Sequence, residues 1–114
     1  MHSAERKREF NEILIEAIDE TITVLLSQGV AKALYDHLQA TYSISRDEIP
    51  SKLDILLSTL EKTFGATSSR TIGKVIAREL YARLSLTFND NPGRTFLEYV
   101  EDAKVKLQER GSHL

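Results

Sequence analysis

Phe10-Asn11-Glu12-Ile13-Leu14-Ile15-Glu16-Ala17-Ile18-Asp19-Glu20-Thr21-Ile22-Thr23-Val24-Leu25-Leu26 decides the fold class. Within it Phe10, Ile13, Leu14, Ala17, Ile18, Thr21, Ile22, Val24 and Leu25 recur at steps of three and four. That spacing gathers side chains on one face of an α-helix. A helix from about Ser3 to Leu26 is expected, roughly 36 Å long at 1.5 Å per residue. The residues before Phe10 are charged, so that end of the helix is expected to project or fray.

Outward from this helix the same period continues, broken only by turn chemistry. Ser27-Gln28-Gly29 interrupts it: Gly29 can close the first helix, or Ser27 can cap the second. The second helix is expected to run to about Tyr42, with Val30, Ala31, Leu34, Tyr35, Leu38 and Tyr42 inward. Residues 43–49 read as a connection, with Ile44 and Ile49 plugging it onto the core. Pro50 disfavours the helical conformation at Ile49 and suits a first turn. A third helix is therefore expected from Ser51, with a capping box of Ser51 and Asp54. Leu53, Leu56, Leu57, Leu60 and Phe64 line its inner face, and Gly65 stops it. Thr67, Ser68 or Ser69 can cap a fourth helix reaching about Thr87. Its inward set is Ile72, Val75, Ile76, Leu80, Leu84 and Phe88. Gly73 lies inside this helix at a cost of about 1 kcal/mol against Ala, either for a close helix crossing or as a tolerated defect. Asn89-Asp90-Asn91-Pro92-Gly93 is a turn. A fifth helix follows from about Arg94 to Glu109, with Phe96, Val100, Ala103 and Leu107 inward.

No segment alternates polar and apolar residues as a strand does. The expectation is an all-α, single-domain bundle of about five helices over residues 1–110. Gly111-Ser112-His113-Leu114 reads as a cloning remnant and is left out of it. At 114 residues, 41% of them apolar, the chain can bury one core. The absence of cysteine excludes disulfides, thiolate metal sites and cysteine nucleophiles. No apolar run approaches the roughly 18 residues that span a bilayer, and the first residues do not form a signal peptide. A cytoplasmic protein that does not contact membranes is expected.

The net charge of −2 hides a segregation. Residues 1–42 hold 4 basic and 7 acidic side chains, and residues 65–88 hold 4 basic and 1 acidic. Glu5, Glu9, Glu12, Glu16 and Glu20 recur along the first helix, as its solvated face or as an acidic docking surface. Arg70, Lys74 and Arg78, at i, i+4 and i+8, form one basic stripe on the fourth helix. That stripe is a solvent face, a partner for the acidic face of the first helix, or a contact for an anion, an acidic protein or nucleic acid. It lacks the interleaved aromatics of a single-strand binder.

Residues 30–88 resemble a small family of archaeal all-helical domains, found alone or as an output module of archaeal signalling proteins. The resemblance is carried by Tyr35-x-His37-Leu38, Glu48-Ile49-Pro50 and Phe64-Gly65, with Val30, Leu34, Ile44, Leu60-Glu61, Ile76, Leu80-Tyr81 and Leu84 between and around them. It implies a regulatory or scaffolding role and brings no catalytic residue.

Nothing in the sequence assembles a reactive site. His37 and Asp36 are adjacent on a helix and so point about 100° apart. The positions one turn from His37 hold Ala33, Ala40 and Thr41, so no metal ligand pair forms. There is no nucleophile elbow, phosphate-binding glycine loop or dinucleotide fingerprint. No cofactor or metal is expected. The expected function is a non-enzymatic helical interaction or regulatory module that forms a homodimer. The expected interface is the first helix, through Phe10, Ile13, Leu14, Ala17 and Ile18, because so long a stripe has more apolar surface than shorter neighbours cover. The alternative is a nucleic-acid-binding regulator using Arg70, Lys74 and Arg78.

Overall fold

The computed structural model describes the backbone of residues 2–112 and the side chains of residues 9–110. It is all-α: helices α1 (His2–Leu25), α2 (Gln28–Tyr42), α3 (Leu53–Phe64), α4 (Ala66–Arg83) and α5 (Phe96–Ser112), with a 3₁₀ helix (Arg46–Ser51) between α2 and α3. No strand occurs among the described residues. α5 continues through Gly111 and Ser112, while His113 and Leu114 lie outside the described residues.

α1 is the central element. It packs most extensively on α4 and also meets α2 and the 3₁₀ helix. Leu14, Ala17, Ile18 and Ile22 of α1 join Leu34 and Leu38 of α2, Ile76 and Leu80 of α4 with Leu84 just after it, and Val100 and Ala103 of α5 in one core. The expected stripe is thus real, but its C-terminal end is not covered. Val24 is 71% exposed and Leu25 46%. α1 runs out past its neighbours there. Tyr42, expected inward, is exposed as well.

α2 ends at Tyr42 as expected, whereas α4 ends earlier than expected, and a serine stands at each end in place of glycine. Ser43 closes α2 and Ser85 follows α4, each in the left-handed region with φ 57°. At the end of α4 the Ser85 amide donates to the Ala82 carbonyl (3.2 Å) and the Leu86 amide to the Tyr81 carbonyl (2.9 Å). These bonds satisfy last-turn carbonyls and stop the helix about a turn before Thr87. Gly65, at φ 91°, behaves as expected for α3, but it also stands as the N-cap of α4. Thr67, Ser68 and Ser69 therefore lie inside α4.

The segment 43–52 is more ordered than a loop. The Ser45 backbone amide and hydroxyl both donate to the Glu48 carboxylate (3.1 and 2.9 Å), which closes a capping box on the 3₁₀ helix. Pro50 lies inside that helix, and Ser51 donates to the Glu48 carbonyl (2.8 Å) instead of capping α3. Ile44 and Ile49 are buried, as expected, and hold the segment down. A second box, Thr95 with Glu98, starts α5 at Phe96 rather than Arg94.

Gly73 answers to packing. A Cβ at this position would stand 3.2 Å from the Phe96 Cβ, so its absence lets α5 lie close against α4. Next to this crossing Tyr81, Phe88 and Tyr99 form an aromatic cluster, with ring centroids 5.0 to 6.3 Å apart. Filling the crossing with Gly73→Leu lowers stability by about 2 kcal/mol, because overpacking outweighs the helix propensity gained. A urea midpoint equal to that of the parent chain would show that the crossing is not tight.

Candidate functional site

The five residues expected to form a dimer interface are committed elsewhere. Phe10, Leu14, Ala17 and Ile18 are buried within their own chain, Leu14 to 1% exposure, and Ile13 is half-buried. Short neighbours do cover this stripe, because α2, α4 and the 3₁₀ helix each close over a different part of it. The side chains offered for pairing are thus core, and that expectation is corrected.

The opposite face of α1 carries Glu9, Glu12, Glu16 and Glu20, all exposed; Glu5 lies outside the described side chains. Val24 continues this row one turn beyond Glu20. Glu16 and Glu20 are both approached by Arg83 of α4 (3.1 and 3.8 Å), which also holds Glu79 (3.0 Å). Glu9 and Glu12 make no ion pair among the described residues.

The basic stripe on α4 is only partly available. Lys74 is paired with Asp90 of the turn (3.0 Å). The Arg78 guanidinium lies 5.6 Å from the centroid of the Phe88 ring. Arg70 is exposed and makes no ion pair among the described residues. The cation that meets the acidic face of α1 in this chain is Arg83. It stands five residues after Arg78, about 140° further round the helix. The stripe therefore does not serve α1 of its own chain.

Two polar clusters tie elements together. Asp19 of α1 accepts from the Tyr35 hydroxyl of α2 and from Arg46 of the 3₁₀ helix, whose Nε stands 3.2 Å away. Burial first, and then the Asp19 carboxylate, push the Tyr35 hydroxyl well above its ordinary pKa, so it stays a donor. Beside this cluster α1 and α2 leave an open groove of about 440 Å³ lined by Asp19, Glu20, Thr23, Lys32, Tyr35 and Asp36. Lys32 and Asp36 pair across one turn (2.8 Å). His37 is exposed, with its Nδ1 3.4 Å from the Thr41 hydroxyl. No group of three metal-ligating side chains gathers among the described residues.

The second cluster joins α4 to α5. The Tyr81 hydroxyl donates to Asp102 (2.7 Å) and to the Tyr99 carbonyl (2.8 Å). Lys106 and Arg94 flank the same carboxylate at 3.1 and 3.4 Å. Sequence spacing brings together only Asp102 and Lys106, one turn apart on α5; the tyrosines stand 16 and 21 residues from their aspartates, and Arg46 stands 27 from Asp19. In both, the tyrosine hydroxyl donates to an aspartate that a cation also holds; Tyr35 is half-buried and Tyr81 buried.

The residues that carry the archaeal resemblance are mostly core and stops. Leu34, Leu38, Ile44, Ile49, Leu60, Ile76, Leu80, Tyr81 and Leu84 are buried, and Gly65 ends α3. No helix among the described residues is long and apolar enough to cross a membrane. Compared with known proteins, the chain matches no family model, no curated protein and no solved structure.

The Tyr81 hydrogen bond, with Lys106 and Arg94 behind it, holds the Asp102 carboxyl below the usual aspartate value. A lowered folded-state pKa adds stability that is complete above the ordinary carboxylate range near pH 4 and is lost as pH falls through the lowered value. Asp102→Asn is therefore less stable than the parent chain at neutral pH, and the gap narrows on acidification. Unfolding curves with a gap that does not change with pH would contradict this role for the carboxylate.

Proposed function

We propose that the chain is a non-enzymatic helical interaction module that associates with copies of itself. Val24 carries the reading. It is 71% exposed at the end of the outer row of α1, with Leu25 beside it at 46%, after the inner stripe has been closed by the same chain. Covering an exposed aliphatic pair with protein is favourable, and such residues beside polar surface mark a contact. The charge segregation supports the same reading: an acidic outer row on α1 and a basic stripe on α4 that faces away from it. So small an apolar patch fits a weak contact that forms and dissolves with concentration. A regulatory or scaffolding role, of the kind implied by the resemblance over residues 30–88, and a cytoplasmic setting belong to the same proposal.

The nucleic-acid reading has less support. Lys74 is neutralised by Asp90, which leaves Arg70 and Arg78 to meet phosphates. An acidic protein surface asks less of the same stripe.

The test is solution mass by light scattering from dilute to concentrated protein at low salt. The weight-average mass should rise above 12.9 kDa, and Val24→Asp should suppress the rise. A mass of 12.9 kDa at every concentration would refute self-association.

A further inference from the structure

Resting on that reading, we propose that self-association lays the outer glutamate row of α1 in one copy on the Arg70–Lys74–Arg78 face of α4 in another. Neither face pairs well with itself, since an α1–α1 or an α4–α4 contact would set like charges opposite one another. Set against each other, the two faces are opposite in sign and comparable in length. Glu9 to Glu20 spans about 16 Å of helix and Arg70 to Arg78 about 12 Å.

Complementary side chains stand among those that make no ion pair among the described residues. Glu9 and Glu12 on α1 are exposed and unpaired among the described residues, as is Arg70 on α4, and Arg78 rests only on the Phe88 ring. Glu16, Glu20 and Lys74 already have partners within the chain and contribute less. Arg83 does not compete, because it lies on the side of α4 that faces α1. Thr67, Thr71 and Ala82 are exposed beside the stripe, and their small size lets a second helix approach. Val24, one turn beyond Glu20, gives the contact its apolar end. Each copy offers both faces, so the contact runs head to tail unless a two-fold axis repeats it. Exposed pairs are screened by salt, so the contact weakens as ionic strength rises.

The experiment is a charge swap read by light scattering, with circular dichroism to establish that each variant keeps the parent helicity. Glu9→Lys/Glu12→Lys reverses the charge of the free end of the α1 row, and Arg70→Glu/Arg78→Glu makes the α4 face acidic like the α1 row. Each variant alone should stay at 12.9 kDa at a concentration where the parent associates at low salt. An equimolar mixture of the two should regain the parent's association, and high salt should abolish it. Parent-like association of either variant alone, or a mixture that stays monomeric, overturns this pairing and leaves self-association through another surface standing. A parent chain that is monomeric under all conditions overturns both.

Discussion

The inner face of α1 is the surface on which the other elements are assembled. A helix of 24 residues cannot bury its stripe on a single short neighbour, so α2, α4 and the 3₁₀ helix divide it among them. Leu14, Ile18 and Ile22 lie at the centre of that shared surface and are almost fully excluded from solvent. Removing water from such side chains is the main favourable term in folding a small domain. The short connections, the buried plugs Ile44 and Ile49, and the close α4–α5 crossing at Gly73 all serve to bring covering surface to α1 or to the helices around it.

Two tyrosine–aspartate–cation clusters fix how the covering elements sit. Tyr35–Asp19–Arg46 ties α1, α2 and the 3₁₀ helix, and Tyr81–Asp102 with Arg94 and Lys106 ties α4, α5 and the segment before α5. Apolar packing is non-directional, whereas these hydrogen bonds select one register for each helix pair. Tyr99 adds a further tie: its hydroxyl accepts from the Asn91 amide (2.8 Å) and donates to the Asn91 carbonyl (3.0 Å), anchoring the turn to α5. The charges left over lie on outward faces.

The helical class, most inward residues of α2 to α5 (Tyr42 excepted) and the stop at Gly65 are legible in the sequence, because a 3.6-residue period and a glycine break are local signals. The sequence is silent where the deciding contact is distant. Ser43 and Ser85 end helices in a conformation usually left to glycine, held there by bonds to the preceding turn. The boxes Ser45–Glu48 and Thr95–Glu98 are local patterns too, whereas Ser51 and Asp54, which fit the same kind of pattern, do not cap. Periodicity identified the apolar stripe of α1 but does not state whether the same chain or a second one covers it. That gap misplaced the dimer interface on Phe10, Leu14, Ala17 and Ile18, all of which are core. Conversely, Val24 and Leu25 share the period yet lie beyond the reach of any neighbour.

One chain closes the core over α1 unaided. Amide hydrogen exchange in dilute solution tests it most directly, since it reports opening helix by helix. The amides of α1 from Leu14 to Ile22 should exchange only through global unfolding, with protection equal to that of α4 and unchanged on further dilution. Faster exchange in α1 than in α4, or protection that falls as the protein is diluted, would contradict it.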